Sequence, residues 1–307
     1  PGAWFLVAAR GLLGPGAATM MPATLALIRI TFSDERERNT AIGVWASVAV
    51  VGAALGPVVG GVLPEVFWGG SGFLITVPVV AAIILTIAVA PPNMHNPTKH
   101  WDAPSSLYAL VTLASLVTAI KELANPARTW WLLLAAVVLT VVGAILFTRR
   151  QQRLDDPLLT FDVFRSRIFT GGVLAAAGAM FAVSGLELLT TQRFQLVLGY
   201  SPLEAGLLLI AVTLAAFPFS LLGGAGLHRV GFIPLIAGGV AVVAAGVGLA
   251  TWAGNDHVLP LFVVGLALVG AGAGSIMSVS STAIIGSAPV RRAGMAAGVE
   301  SVSYEFG

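Results

Sequence analysis

The chain has 307 residues, of which 10% are Lys, Arg, Asp or Glu and 57% are apolar, against the roughly 25% charged residues of a soluble domain. That composition excludes a soluble globule, which would lack a polar surface, and a disordered chain, which needs high charge and low hydrophobicity. A net charge of +2 and the absence of cysteine leave no disulfide framework or Cys-based metal site, and the basic residues fall in gaps between apolar runs rather than on a nucleic-acid-binding face. The class that remains is an all-α polytopic membrane protein embedded in a lipid bilayer.

In chain order, ten stretches approach the ~20 apolar residues that cross a bilayer core, at 4–30, 41–63, 70–90, 105–122, 129–148, 168–190, 202–226, 230–252, 257–285 and 294–307. Runs such as Ala81 to Ala90 and Trp131 to Val142 are continuously apolar, unlike the alternating strands of a membrane β-barrel. With helices of alternating direction, Arg29, Arg36, Arg38, Lys99, Arg149, Arg150, Arg153, Arg165, Arg167, Arg229, Arg291 and Arg292 fall on one side, and only Lys121, Arg128 and Arg193 on the other. The positive-inside rule assigns the first side to the cytosol. Ser201-Pro202-Leu203-Glu204 reads as a capping box with Pro at the first helical position, so the seventh helix is predicted to begin at Pro202. The chain starts without Met and ends inside an apolar run, which reads as a piece of a longer protein.

An internal repeat organises these spans. Gly14-Pro15-Gly16-Ala17 with Met21 recurs as Gly270-Ala271-Gly272-Ala273 with Met277, and Arg36, Ala41, Gly43 and Val44 recur as Arg291, Ala296, Gly298 and Val299. Spans one and two thus echo spans nine and ten in the same orientation, as in transporters whose halves are related by an axis along the membrane normal. Span two also carries Gly52-x-x-x-Gly56-Pro57-x-x-Gly60-Gly61. Its glycines allow close backbone approach, and Pro57 removes a helix hydrogen bond.

The run from Gly52 to Gly61 resembles the antiporter motif of the major facilitator superfamily. Leu6-x-x-x-Arg10-x-x-Leu13-Gly14-x-Gly16-Ala17-Ala18 resembles that family's fourth-helix motif, with Leu13 in place of the usual Gln. Met21-Pro22-Ala23-Thr24-Leu25, the stretch Gly199 to Leu207, and Tyr304-Glu305-Phe306-Gly307 are similar to the fourteen-helix drug:proton antiporters, among them bacterial pumps for methyl viologen, quaternary ammonium compounds and dyes. The resemblance implies a fragment covering about ten of fourteen helices: residues 1–90 as helices four to six, 91–148 as a linker with two extra helices, 149–167 as a cytosolic linker, and 168–307 as a truncated C-terminal bundle. A weak counterpart of a family loop motif lies at Gly224-x-x-x-His228-Arg229-x-Gly231, with His228 where Asp is usual.

Intramembrane acids are the candidates for coupling, because a carboxyl group can alternately hold a proton or attract a cation. Glu305 lies ~17 Å along its helix from Gly294, near mid-membrane, and is the first choice; Glu300, nearer the cytosol and turned by ~140° from it, is either a second coupling acid or an ordinary cavity-mouth or ion-pairing residue. Glu187 lies late in span six, where it is either a partner of Arg193 or a charge selector at the outer mouth. Arg10 is the one basic residue well inside a span, a placement that costs about 2.5–3.5 kcal/mol and normally faces the bundle interior; the resemblance implies that it assists proton transfer, and the alternative is that it snorkels to the outer interface near Trp4. Met180 and Phe181 are candidate contacts for aromatic cations. No histidine lies inside a span, and no nucleophile elbow, phosphate loop or HExxH pattern is present, so neither an enzyme nor a metal site is expected. The expected function is export of lipophilic cations in exchange for protons by a bacterial inner-membrane monomer, driven by the proton gradient without a cofactor. A metabolite symporter or exporter and a non-transporting receptor are the alternatives.

Overall fold

The computed structural model describes residues 3–67, 76–86, 102–256 and 258–307, with some side chains in the first two segments undescribed. Ten helices run through them: α1 (Ala3–Thr31), α2 (Glu35–Val66), α3 (Thr76–Thr86), α4 (Ala103–Ala124), α5 (Trp130–Gln151), α6 (Arg167–Gln192), α7 (Pro202–Val230), α8 (Phe232–Asn255), α9 (Leu259–Ser287) and α10 (Ala293–Phe306). They match the ten apolar stretches, and most extend beyond them, because capped and charged end turns continue a helix past its apolar limit. Six of them, among the described residues, are long and apolar enough to cross a membrane, so the protein is a multi-pass membrane protein.

The helix limits have local causes. Asp34 caps α2 by accepting from Arg36 N at 2.9 Å and Glu37 N at 3.0 Å, and Glu35 and Glu37 in the first turn complement the helix dipole. At α7 the capping box forms as expected, with Glu204 N donating to Ser201 Oγ at 3.2 Å and Ser201 N donating to Glu204 Oε2 at 2.7 Å. The same helix stops at Gly231, whose φ of 86° suits a residue without a Cβ.

The chain divides into two compact units, residues 89–162 and residues 1–88 with 163–307. In the smaller unit α4 and α5 form a hairpin packed through Ala119, Leu133 and Ala136. Arg150 donates to both Asp102 oxygens, at 2.9 and 2.7 Å. Gln151 Nε2 donates to Ser105 Oγ at 2.7 Å and its Oε1 accepts from Leu159 N at 3.1 Å, which ties the segment after α5 back to the hairpin. Arg150 and Ser105 hold the Asp102 carboxyl down at about 2. A depressed carboxyl contributes stability above its unfolded value and loses it as pH falls through the folded one. The protection factor of the Ser106 amide, which removes the pH dependence of intrinsic exchange, is therefore expected to stay constant from about pH 8 to about pH 4 and to fall only below that; a protection factor that falls between pH 7 and 5 would contradict this pairing. The rest of the hairpin surface is apolar and exposed, including Leu110, Leu139 and Trp131, as lipid contact requires. Arg128 lies 5.3 Å from the Trp130 ring, an arrangement suited to a membrane interface.

In the larger unit, α9 is the central helix, with 56% of its apolar window buried against 11% for α4 and α5. It packs most extensively against α8 and α7, then α6. The contacts are made by glycine: a Cβ on Gly270 would sit 1.8 Å from the Val212 carbonyl oxygen of α7, and one on Gly272 would sit 2.6 Å from the Gly239 oxygen of α8. The glycines of the Gly270 to Ala273 repeat are thus packing positions. Their counterparts Gly14 and Gly16 in α1 meet nothing within 4 Å among the described residues.

The ends that carry Arg29, Arg36, Arg38, Arg167, Arg229, Arg291 and Arg292 lie together. Leu25 of α1, Ile42 of α2, Phe169 of α6, Ile284 and Ile285 of α9, and Ala296 and Ala297 of α10 form one buried cluster at this basic end, and Arg29 Nη2 donates to the Ala288 carbonyl at 3.4 Å. These contacts join residues 1–88 and 168–307, which the sequence separates into two bundles, into one unit. Toward the far end Trp4, Phe5 and Leu12 of α1 are exposed, and Gly52 and Gly56 of α2 meet nothing within 4 Å among the described residues. The repeat is visible in the packing. Exchanging α1 with α9 and α2 with α10 turns the α1–α10 contact into the α9–α2 contact, and both exist.

Candidate functional site

The buried polar residues of the larger unit concentrate in the last turns of α9, where Ser278, Ser280, Ser281 and Thr282 are all within 2% of full burial. Thr282 returns its hydroxyl to the Ser278 carbonyl at 3.0 Å, a local bond that lets a polar side chain sit in an apolar helix. Ser281 instead faces α10 and donates to Glu300 Oε1. Tyr304, four residues and about one turn beyond Glu300, donates to the same oxygen at 2.9 Å, with its hydroxyl 3.0 Å from Ser281 Oγ and 3.3 Å from the Met277 carbonyl.

Glu300 is 0% exposed. Its Oε1 has two partners and its Oε2 has none among the described residues. Among the described residues no hydrogen bond or ion pair joins it to a basic side chain, and an unpaired ionised carboxylate inside an apolar medium is very costly. A carboxyl held this way has one oxygen clamped by hydroxyls and one free to carry a proton. Just toward the basic end, Ala296 and Ala297 pack against Leu25, Ile284 and Ile285, an apolar layer between the acid and that end.

The other residues expected to act are placed apart from this cluster. Glu305 is exposed, on a different side of α10 from Glu300, as five residues of helix dictate. Glu187 is half-buried in α6, and Arg193 donates to the Gly254 carbonyl of α8 rather than to it. Phe181 is 72% exposed and Met180 is half-buried beside it. Arg10 lies in α1, but its side chain is outside the described residues, as are those of Pro57, Gly60 and Gly61; α2 itself continues as helix through all three. His95, His100 and His257 are likewise outside them.

Sequence reasoning missed Ser281 and Tyr304, the partners that hold Glu300. The available signal was the polar run Ser278 to Thr282 in an otherwise apolar span, together with Tyr304 one turn from Glu300. Asn39 and Arg38, both buried at the start of α2, were also hidden, since their positions read as a solvated helix end.

Comparison with known proteins places this geometry in context. A model of the Major Facilitator Superfamily matches residues 1–307. The chain is 34% identical over 305 residues to the methyl viologen resistance protein SmvA of Salmonella typhimurium, covering 99% of this chain and 61% of that protein. It is 33% identical over 312 residues to the multidrug efflux pump LfrA of Mycolicibacterium smegmatis, covering 100% and 61%, and 30% identical over 309 residues to the multidrug resistance protein Stp of Mycobacterium tuberculosis, covering 98% and 56%. The chain therefore spans about three-fifths of the length of these relatives.

Proposed function

Because the chain belongs to the major facilitator superfamily, we propose that it is the greater part of a proton-coupled multidrug antiporter of a bacterial inner membrane. It expels lipophilic cations, such as quaternary ammonium compounds, dyes and methyl viologen, by alternating access. The observation that carries this reading is the fully buried Glu300, without a basic partner among the described residues, behind an apolar layer that joins α1 and α2 to α6, α9 and α10 at the basic end. With the basic end in the cytosol, that arrangement is closed inward and open outward. The relatives named for methyl viologen resistance and multidrug efflux suggest the substrate class.

In this reading the ten helices correspond to the fourth through thirteenth of fourteen, with α4 and α5 as the two extra helices. Gly43 of α2 packs against Gly224 of α7, whereas its repeat counterpart Gly298 in α10 meets nothing within 4 Å among the described residues. Glu300 holds the transported proton. Glu305 and Glu187, both more accessible, attract the cation, and Arg10 assists proton movement in the N-terminal half. The Gly52 to Gly61 face closes against the C-terminal half when the transporter turns inward. The protein works as a monomer, and the proton gradient is the energy source in place of a cofactor.

Cells making the native gene product and loaded with ethidium test this. Efflux is expected to be rapid, to stop when a protonophore collapses the gradient, and to be inhibited by excess quaternary ammonium ion. Efflux that survives the protonophore, or no efflux from cells with the protein in their membrane, would overturn the reading.

A further inference from the structure

Three buried side-chain atoms have no hydrogen-bond partner among the described residues, and their residues lie on three helices that meet: Asn39 Oδ1 on α2, Ser220 Oγ on α7 and Ser278 Oγ on α9. The Ser278 hydroxyl and the backbone carbonyls of Asn39 and Ser220 lie around the crossing of Gly43 and Gly224. A Cβ on Gly224 would lie 2.9 Å from Ser278 Oγ and 3.1 Å from the Asn39 carbonyl oxygen, and one on Gly43 would lie 3.6 Å from Ser278 Oγ and 3.7 Å from the Ser220 carbonyl oxygen. Buried polar atoms are normally satisfied, so three together mark a place where a mobile partner such as water is used.

This place connects in two directions. Toward the basic end, Asn39 and Gly224 line a cavity of about 120 Å³ together with Arg36, Thr40, Ala225 and His228, and the Arg36, Thr40 and His228 side chains at its rim are exposed. Toward α10, Ser278 is three residues from Ser281, a spacing that makes helix side chains neighbours at ~5–6 Å, and Ser281 is bonded to Glu300.

We propose that Ser281 and Ser278 form a hydroxyl relay that carries the Glu300 proton into the cavity between α2 and α7, with Asn39 and Ser220 holding the water that completes it. The relay rests on the reading of Glu300 as the proton-carrying acid. A serine hydroxyl both donates and accepts. The Glu300 carboxyl turns so that its protonated oxygen faces Ser281 Oγ, and the Ser281 O–H turns from Glu300 to a water between the two serines; the carboxyl O–H then breaks as its proton passes to Ser281 Oγ, and the original Ser281 proton leaves to that water. Ser278 accepts from that water and gives its own proton to water in the cavity. One carboxylate and one hydronium result, each hydroxyl and the bridging water recover their protons, and no electron moves. Arg36 at the rim disfavours a retained hydronium and drives it outward. Full burial of Glu300 keeps the same proton from the space at the far end, so the relay does not short-circuit the gradient in this conformation. It gives the proton a route through an end that the Leu25, Ile284 and Ala297 layer closes to larger solutes.

The test uses the full-length native protein in lipid vesicles, reading ethidium transport driven by an imposed pH gradient and, separately, ethidium exchange at equal pH. Ser278→Ala is expected to slow gradient-driven transport by about tenfold or more, to enlarge its solvent deuterium isotope effect, and to leave exchange unchanged. Asn39→Leu, which removes the acceptor at the cavity floor, is expected to do the same and serves if Ser278→Ala does not accumulate. Ser280→Ala, another buried hydroxyl on α9 but off this route, is expected to match wild type. Wild-type gradient-driven rates in Ser278→Ala or Asn39→Leu, or exchange lost in step with them, would overturn the relay alone. Gradient-driven transport retained in Glu300→Gln would overturn the underlying reading and the relay with it.

Discussion

Glu300→Gln is expected to lower gradient-driven dye efflux by about a hundredfold or more while leaving dye exchange at equal pH close to wild type. The substitution is nearly isosteric, and the amide oxygen still accepts from Ser281 and Tyr304, which bond only Oε1 in the native cluster. What is lost is the capacity to release and regain a proton at Oε2. A glutamine there behaves as a permanently protonated acid, so the helices still rearrange around a loaded cation, but the two fluxes are no longer tied. Glu305→Gln separates the roles: an exposed carboxylate that attracts the cation affects the concentration dependence for dye more than the dependence on the gradient. Tyr304→Phe, which leaves Ser281 in place, is expected to be milder than Glu300→Gln. Undiminished gradient-driven efflux in Glu300→Gln vesicles would remove this acid from the cycle.

The second large effect is on folding. Gly270→Val puts a branched side chain where a Cβ alone would come within 1.8 Å of the Val212 carbonyl oxygen, and the next turn repeats the situation, with a Cβ on Gly274 at 2.3 Å from the Ala216 oxygen. Both obstacles are backbone, which no rotamer change relieves, so α9 must move off α7. Overpacking a tight core costs about 1–3 kcal/mol or more. Because α9 also touches α6, α8, α2 and α10, its displacement loosens the whole unit. The expected result is loss of folded protein in detergent by size exclusion and a fall in Tm of any remainder. Gly248→Val on α8 is the control: its Cβ meets nothing within 4 Å, and it is expected to be near neutral. Equal thermal stability of the two variants would show that the α7–α9 approach is not the interaction that holds this half together.

The repeat and the candidate acids show how far sequence reasoning reached. Gly270, Ala271, Gly272 and Ala273 were legible as a copy of Gly14 to Ala17, and the matched contacts of α1 with α10 and α9 with α2 agree with that symmetry. The sequence offered no reason why the second copy should be packed solid while Gly14 and Gly16 of the first meet nothing within 4 Å among the described residues, because the two copies differ in their neighbours. Among the acids, distance along the helix favoured Glu305, which lies deeper from the basic end than Glu300. Rotation about the helix axis decided otherwise for burial: Glu300 faces Ser281 of α9, and Glu305 is exposed. Depth is a one-dimensional property, whereas facing is not, and a helix that is apolar on all sides carries no amphipathic stripe from which facing can be read.

The approximate limits of the described helices, the capping box at Ser201 and the grouping of basic ends were legible in the sequence alone, since each depends on transferring a local segment between water and lipid or on bonds within a few residues. Which acid is sealed away, which hydroxyls attend it, and the meeting of Asn39, Ser220 and Ser278 were decided only by tertiary structure. Those arrangements depend on how α2, α7, α9 and α10 are rotated and how closely they approach. In lipid that is set by the fit of glycine against a neighbouring backbone, a property of pairs of helices that no single span contains.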